Sequence, residues 1–318
     1  MSSCCGPARP ERPERPDLAV AAAAGVDAGA GSHLVDQVSV PAQVFAMGDH
    51  HGDGSRPDGE TPVHEVSLSA FDIDATTVTV ADFAAFADAT GFATDAERFG
   101  YSAVFHAHLH PADEAAVVGQ PPQTPWWLGV SGVDWRHPDG PSSDVADRLD
   151  HPVTHVSWAD AQAYCRWAGR ALPTEAQWEC AARGGRAGQR YPWGDELPGA
   201  GWATNIFQGT FPSENTADDG WSGTAPVRTY APNDYGLFQP IGNVWEWCAD
   251  WFSADHYARS AYADPTGPSA GSARVQRGGS FLCHDSYCNR YRNAARSANT
   301  PDSSTSNTGF RTVSPSAC

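Results

Sequence analysis

No lysine occurs in the 318 residues: all 20 basic side chains are arginine, set against 38 acidic ones for a net charge of −18. Binding a phosphate backbone needs a basic surface, so nucleic-acid binding is excluded as a main activity. The acidity reads as a solvated surface, and only a local cleft could attract a cationic peptide. Long apolar runs are missing too. Nothing approaches membrane-spanning length, and the short stretch from Leu18 to Val26 follows Glu14 and Asp17, which spoils it as the apolar segment of a leader. Extended helical periodicity is equally scarce. In its place stand 31 glycines, 25 prolines and 12 tryptophans, so short elements joined by irregular backbone are expected. Bound ions, buried aromatics and side-chain hydrogen bonds would have to pin such loops.

Residues 1–37 mix Pro, Arg, Glu and Ala and read as a disordered tail; residues 38–318 read as one domain. The 8 cysteines are unevenly placed in a chain too large to need a disulfide scaffold, which suggests a cytoplasmic protein with free thiols. Capping boxes predict three helices. One starts at Thr79-Val80-Ala81-Asp82 and stops at Gly91, one runs from Ser157 to Gly169, and one runs from Thr174 to Gly184. Alternating segments at 65–73, 152–158 and 223–230 predict short strands. The fold class is α+β with low regular content.

Chemistry concentrates between Arg277 and Arg311. Cys283 and Cys288 are five residues apart, an offset of about 140° on a helix, so a shared ligand needs a turn or loop. A buried free pair or a disulfide are the bland alternatives. Zinc normally wants a second Cys or His pair at ligand spacing, which is absent. Two thiolates instead suit Cu(I), which accepts low coordination and leaves room for a third sulfur. Around them stand Arg290, Arg292 and Arg296 as cations, with Ser280, His284, Ser286, Tyr287 and Asn307 as donors; loop pinning is the competing role for each. His106, His108 and His110 would share one side of a strand, but a surface loop explains them as well. Trp126 and Trp127 could floor a peptide groove or belong to the core.

Several segments carry a resemblance to a known family: FAMGD at 45–49, HPVTHVSWADAQAYCRWAGRALPTEAQWE at 151–179, GNVWEW at 242–247, CHDSYCNRYR at 283–292 and NTPDSS at 299–304. From about Phe45 to Val313 the chain resembles the formylglycine-generating enzymes, or sulfatase-modifying factors, of bacterial type. The resemblance implies a modified C-type-lectin-like fold and a mononuclear Cu(I) site at Cys283 and Cys288. It implies oxidation, by O2, of the cysteine of a Cys-x-Pro-x-Arg segment in an unfolded sulfatase to formylglycine, by an enzyme acting as a monomer. By position, Ser280 and Tyr287 neighbour the oxygen site, while Trp126, His284, Arg296 and Asn307 contact substrate.

The resemblance also implies two Ca2+ sites. Asn205 and Asp219 with the carbonyls of Ile206 and Trp221 form the first, a set of hard oxygen donors. Glu246 with the carbonyls of Gly242 and Val244 forms the second, where Gln239 replaces the family's asparagine. Secreted relatives place disulfide cysteines where this chain has Asn293 and Thr312. Cys165, Cys180 and Cys248 therefore read as small core residues, and Cys4, Cys5 and Cys318 receive no role. Two other functions compete. A catalytically silent lectin-like module would have no use for both cysteines, and an iron-dependent sulfoxide synthase would need a further helical domain.

Overall fold

The computed structural model describes residues 6–8, 29, 31–197 and 201–314. Cys4, Cys5, Cys318 and most of the expected tail lie outside them. Among the described residues, four α-helices form where local chemistry satisfies their first N–H groups: α1 (Val80–Thr90), α2 (Asp95–Phe99), α3 (Trp158–Ala168) and α4 (Glu175–Arg183). Each opens on a complete capping box, at Thr79/Asp82, Thr94/Glu97, Ser157/Asp160 and Thr174/Gln177, and each ends on a left-handed glycine. Helix α2 is not legible in the sequence, because five residues are too few to show a periodicity.

The strands are β1 (Gln37–Val40), β2 (Gln43–Met47), β3 (His64–Leu68), β4 (Phe71–Asp74), β5 (Tyr101–Phe105), β6 (Val117–Gly119) and β7 (Trp127–Ser131). They continue as β8 (Gly209–Thr210), β9 (Glu214–Asn215), β10 (Trp245–Trp251), β11 (Arg274–Arg277), β12 (Arg296–Asn299) and β13 (Thr308–Gly309). The central sheet has the order β12-β11-β10-β13, with β13 parallel to β10 and the other pairs antiparallel. A second sheet, β5-β7-β6, flanks it, and β1-β4, β2-β3 and β8-β9 are two-stranded. The segment at 65–73 is two strands rather than one. Those at 152–158 and 223–230 are not strands; Pro152 makes only an isolated bridge to Thr79. Their alternation comes from Val153, Val156, Ala225 and Val227 turning into the interior from irregular backbone.

Ordered packing begins before residue 38. His33 bonds Asp74 at 2.8 Å and Tyr164 at 3.1 Å, and Gly31 N–H donates to the carbonyl of Trp167 at 2.9 Å. The boundary of the folded unit therefore lies N-terminal to the expected one.

The absence of lysine acquires a structural meaning in the interior. Arg277, Arg296 and Arg311 are fully buried, and each is fixed by a carboxylate: Glu179 and Glu175, Glu175, and Glu246 respectively. A guanidinium offers five donors in a planar fork, enough to satisfy a carboxylate and several carbonyls at once; a lysine ammonium cannot span them. Arg296 shows this, pairing with both Glu175 oxygens at 2.7 Å while also donating to the carbonyls of Gly59 and Ser253.

His155 is buried beneath β5, with Nδ1 2.8 Å from Ser102 Oγ and Nε2 2.9 Å from the carbonyl of Pro138. Burial pushes its pKa down to about 4. The unfolded chain takes up this proton near the ordinary value of about 6.5, so the stability contributed by neutral His155 is complete above that pH and is lost as pH falls toward 4. Urea melts of the wild type and His155→Gln should therefore differ in pH dependence between about 6.5 and 4. Parallel curves would remove His155 as the source.

Candidate active site

After β11 the chain must bring two thiols to one place, and two turns achieve it. Cys283 N–H donates to the carbonyl of Ser280 at 2.9 Å, closing the first turn, and Cys288 N–H donates to that of His284 at 3.0 Å, closing the second. Asn289, with φ of 48°, ends the second turn in the left-handed region that asparagine tolerates. Gly279 cannot be replaced without moving this loop, since it has φ of 74° and an added Cβ would lie 2.5 Å from the carbonyl oxygen of Arg290 and 3.2 Å from Cys283 Sγ. Buried ion pairs anchor the far side: Arg290 to Asp58 at 2.6 and 2.9 Å, and Arg292 to Glu60 at 2.7 and 2.9 Å.

Cys283 and Cys288 thereby border one narrow cavity with Ser280, Tyr287, Asn307 and Trp126. Its volume is about 10 Å3, near the minimum for a single water. Neither cysteine is in a disulfide; Cys283 is buried and Cys288 half-buried. Asn307 Nδ2 donates to Ser280 Oγ at 3.0 Å, and Cys283 Sγ accepts from the N–H of Ser280 at 3.4 Å. Tyr287 stacks on Phe211 at 4.0 Å between centroids and meets Trp126 edge-on at 5.1 Å. Trp127, which the sequence offers as a groove floor, completes the lining with Phe211, Trp245 and Leu282, and nothing in the sequence marks these last three as site residues. The indole N–H groups of Trp126 and Trp245 are buried without a hydrogen-bond partner. Such donors are costly to leave unmade and point to a ligand.

A sulfatase-modifying factor enzyme 1-like domain matches residues 25–315. The formylglycine-generating enzyme of Streptomyces coelicolor is 62% identical over 276 residues, covering 86% of this chain and 88% of its own. That of Thermomonospora curvata is 57% identical over 280 residues, covering 86% and 91%. The chain belongs to the formylglycine-generating enzyme family. The structure of PvdO from Pseudomonas aeruginosa superimposes with a TM-score of 0.64 at 23% identity, over 87% of this chain and 93% of that one, and shows the shared fold alone.

Within this family member, two residues expected to contact substrate do not border the cavity itself. Arg296 does not line the cavity, because Glu175 holds it in the interior. His284 does not line it either; its Nδ1 lies 2.8 Å from Ser286 Oγ and 3.1 Å from Asp285. The histidines at 106–110 form no metal face. They lie on a 3-10 turn and just beyond it, where His106 reaches the carbonyl of Pro212, His108 stacks on Phe281, and His110 accepts from the N–H of Ala112. No cluster of three or more His, Cys, Asp or Glu suited to a metal occurs among the described residues. Cys165, Cys180 and Cys248 are core thiols whose pKa burial raises, to about 12 for Cys180.

The first implied calcium site fits its donors. Asn205 Oδ1 is buried without a partner. Gln208 Nε2 bonds both the carbonyl of Ile206 and Asp219 Oδ2, so those two oxygens converge within reach of one atom. Burial raises the pKa of Asp219, and the groups that hydrogen-bond it, Gln208 Nε2 and the N–H of Trp221, are neutral. A hard cation would supply the missing charge. The second site fits less well. Both oxygens of Glu246 are committed, to Arg311 at 2.7 Å each and to Trp178 Nε1 at 2.7 Å, so its charge is already neutralised. Only the buried, unpartnered Oε1 of Gln239 speaks for a ligand there.

Chelation is therefore expected to lower the melting temperature of the wild type, and Asp219→Ala should abolish that response. A site held at a hundredfold excess of calcium over Kd contributes about 2.7 kcal/mol. Glu246→Ala should be destabilised with or without calcium, because it strands Arg311. A chelator response that persists in Asp219→Ala and vanishes in Glu246→Ala would reverse the assignment.

Proposed function

We propose that this enzyme oxidises the cysteine of a Cys-x-Pro-x-Arg segment in an unfolded sulfatase to formylglycine, using O2 and one Cu(I) held by Cys283 and Cys288. The observation that carries the reading is the pair of thiols, neither in a disulfide, bordering a single cavity beside Ser280, Asn307 and Tyr287. Copper, when bound, supplies the one-electron chemistry that closed-shell thiols lack toward dioxygen. The protein does the rest. The cysteine turns hold both sulfurs against one space, and the Trp126, Phe211 and Tyr287 rings wall it from water. Ser280 and Asn307 form a buried hydroxyl-amide pair that can hold or pass a proton at the Ser280 oxygen. Free cysteines throughout the described core suit a reducing compartment, in keeping with a cytoplasmic enzyme.

Titration of the reduced protein with Cu(I) against a competing chelator tests the metal assignment. One tightly held copper per chain is expected, with loss of that affinity in Cys283→Ser at an unchanged circular dichroism spectrum. Undiminished affinity in that variant would place the copper elsewhere.

A further inference from the structure

The motif proposed for the substrate occurs in this chain itself, once: Cys5-Gly6-Pro7-Ala8-Arg9. Its three central residues are described by the structure, and they are seated on the folded domain. Asn299 Nδ2 donates to the carbonyl of Gly6 at 3.5 Å, across 293 positions of sequence. A Cβ added at Gly6 would meet Thr305 Cγ2 at 3.1 Å, so the backbone there lies close against the β12–β13 connection. Pro7 and Ala8 form part of the wall of a cavity of about 610 Å3, together with Tyr101, Ser102 and Ser303. A chain of hydrogen-bonded side chains links Thr305, beside Gly6, to the thiol cavity. Thr305 Oγ1 donates to Asn307 Oδ1 at 2.7 Å, and Asn307 in turn bonds Ser280; the latter two border the space between Cys283 and Cys288.

From these observations, and resting on the function proposed above, we propose that residues 5–9 are a substrate motif carried in cis, with Cys5 a target of the enzyme's own oxidation. Register supports Cys5 over Cys4. Only Cys5 has proline two positions on and arginine four positions on, whereas Cys4 is followed at those offsets by Gly6 and Ala8. Gly6 itself lies two side chains, Thr305 and Asn307, from Ser280 at the cavity. Tethering is permissive, since Gly29 is fixed by its N–H to the carbonyl of Arg166 at 2.8 Å, and the chain between Ala8 and Gly29 can extend to about 70 Å. A motif tethered in this way reaches an effective concentration on the order of millimolar and competes with any peptide added in trans.

The reaction balances with an external thiol as reductant. Cys5 loses two hydrogens to become a thioaldehyde, two molecules of the external thiol become one disulfide, and the four electrons reduce dioxygen to two waters. Water then adds to the thioaldehyde carbon, the carbon–sulfur bond breaks and hydrogen sulfide leaves, so Cys5 has exchanged one sulfur and two hydrogens for one oxygen.

The test uses the full chain, loaded with copper and exposed to air and a small thiol, with a Cys-x-Pro-x-Arg peptide in the same tube. N-terminal fragments are read by mass spectrometry and hydrazide capture. Expected are an aldehyde at Cys5 and not at Cys4, a rate of formation independent of protein concentration, and loss of that aldehyde in Pro7→Ala and in Arg9→Ala. Both variants should also show a lower KM for the added peptide at unchanged kcat. Conversion of the added peptide while Cys5 remains a thiol would overturn this inference and leave the proposed function standing. A rate at Cys5 proportional to protein concentration would overturn action in cis. If neither cysteine is converted, the proposed function fails and takes this inference with it.

Discussion

Cys288→Ser is expected to abolish aldehyde formation on a Cys-x-Pro-x-Arg peptide, with conversion falling to the level of copper in buffer, while the protein still folds. The loss should be this complete because one thiolate cannot hold the soft ion at the cavity and a serine hydroxyl is a poor ligand for it. Folding should survive because the second turn depends on the Cys288 backbone N–H and the carbonyl of His284, which the substitution keeps, and because Cys288 is only half-buried. Cys248→Ser serves as the control, being a buried thiol packed beside Trp178 and Trp245 but outside the cavity lining. It should retain activity in whatever fraction folds. Normal turnover in Cys288→Ser would show that the pair is structural.

Arg296→Met should act on the fold and not on substrate affinity. Removing the guanidinium leaves Glu175 with a buried carboxylate shared, among the described residues, with Arg277 and Tyr257, and stranding one partner of a buried pair costs about 3–5 kcal/mol. That is a large fraction of the 5–15 kcal/mol typical of a whole domain. Chemical denaturation should therefore show a strongly lowered midpoint, and the fraction that remains folded should keep the wild-type KM for peptide. A raised KM at unchanged stability would restore Arg296 to the role that the resemblance implied.

The burial of Arg296 shows what kind of information the sequence carried. The capping boxes at Thr79, Ser157 and Thr174 were legible because each is a four-residue arrangement whose hydrogen bonds close locally. The convergence of Cys283 and Cys288 was legible only as a family resemblance, since the turns that create it depend on Asn289 adopting a left-handed conformation and on Asp58 and Glu60 gripping Arg290 and Arg292 from 232 residues away. Arg296 looked like a site cation because its partner, Glu175, is 121 residues distant. Trp245 was hidden for a related reason, reading as one more core aromatic in GNVWEW although its indole N–H is left unpaired beside the thiols. Residues 5–9 carry their motif inside a segment whose composition suggests only a tail.

The central claim is that a substrate thiolate completes the site formed by Cys283 and Cys288. Its most direct test pairs a Cys-x-Pro-x-Arg peptide with its Ser-x-Pro-x-Arg analogue, each incubated with the copper-loaded enzyme and a thiol reductant in air and under argon. The account predicts a hydrazide-reactive aldehyde from the cysteine peptide in air alone, and none from the serine peptide under either atmosphere. Aldehyde formed under argon, or formed equally from serine, would contradict it.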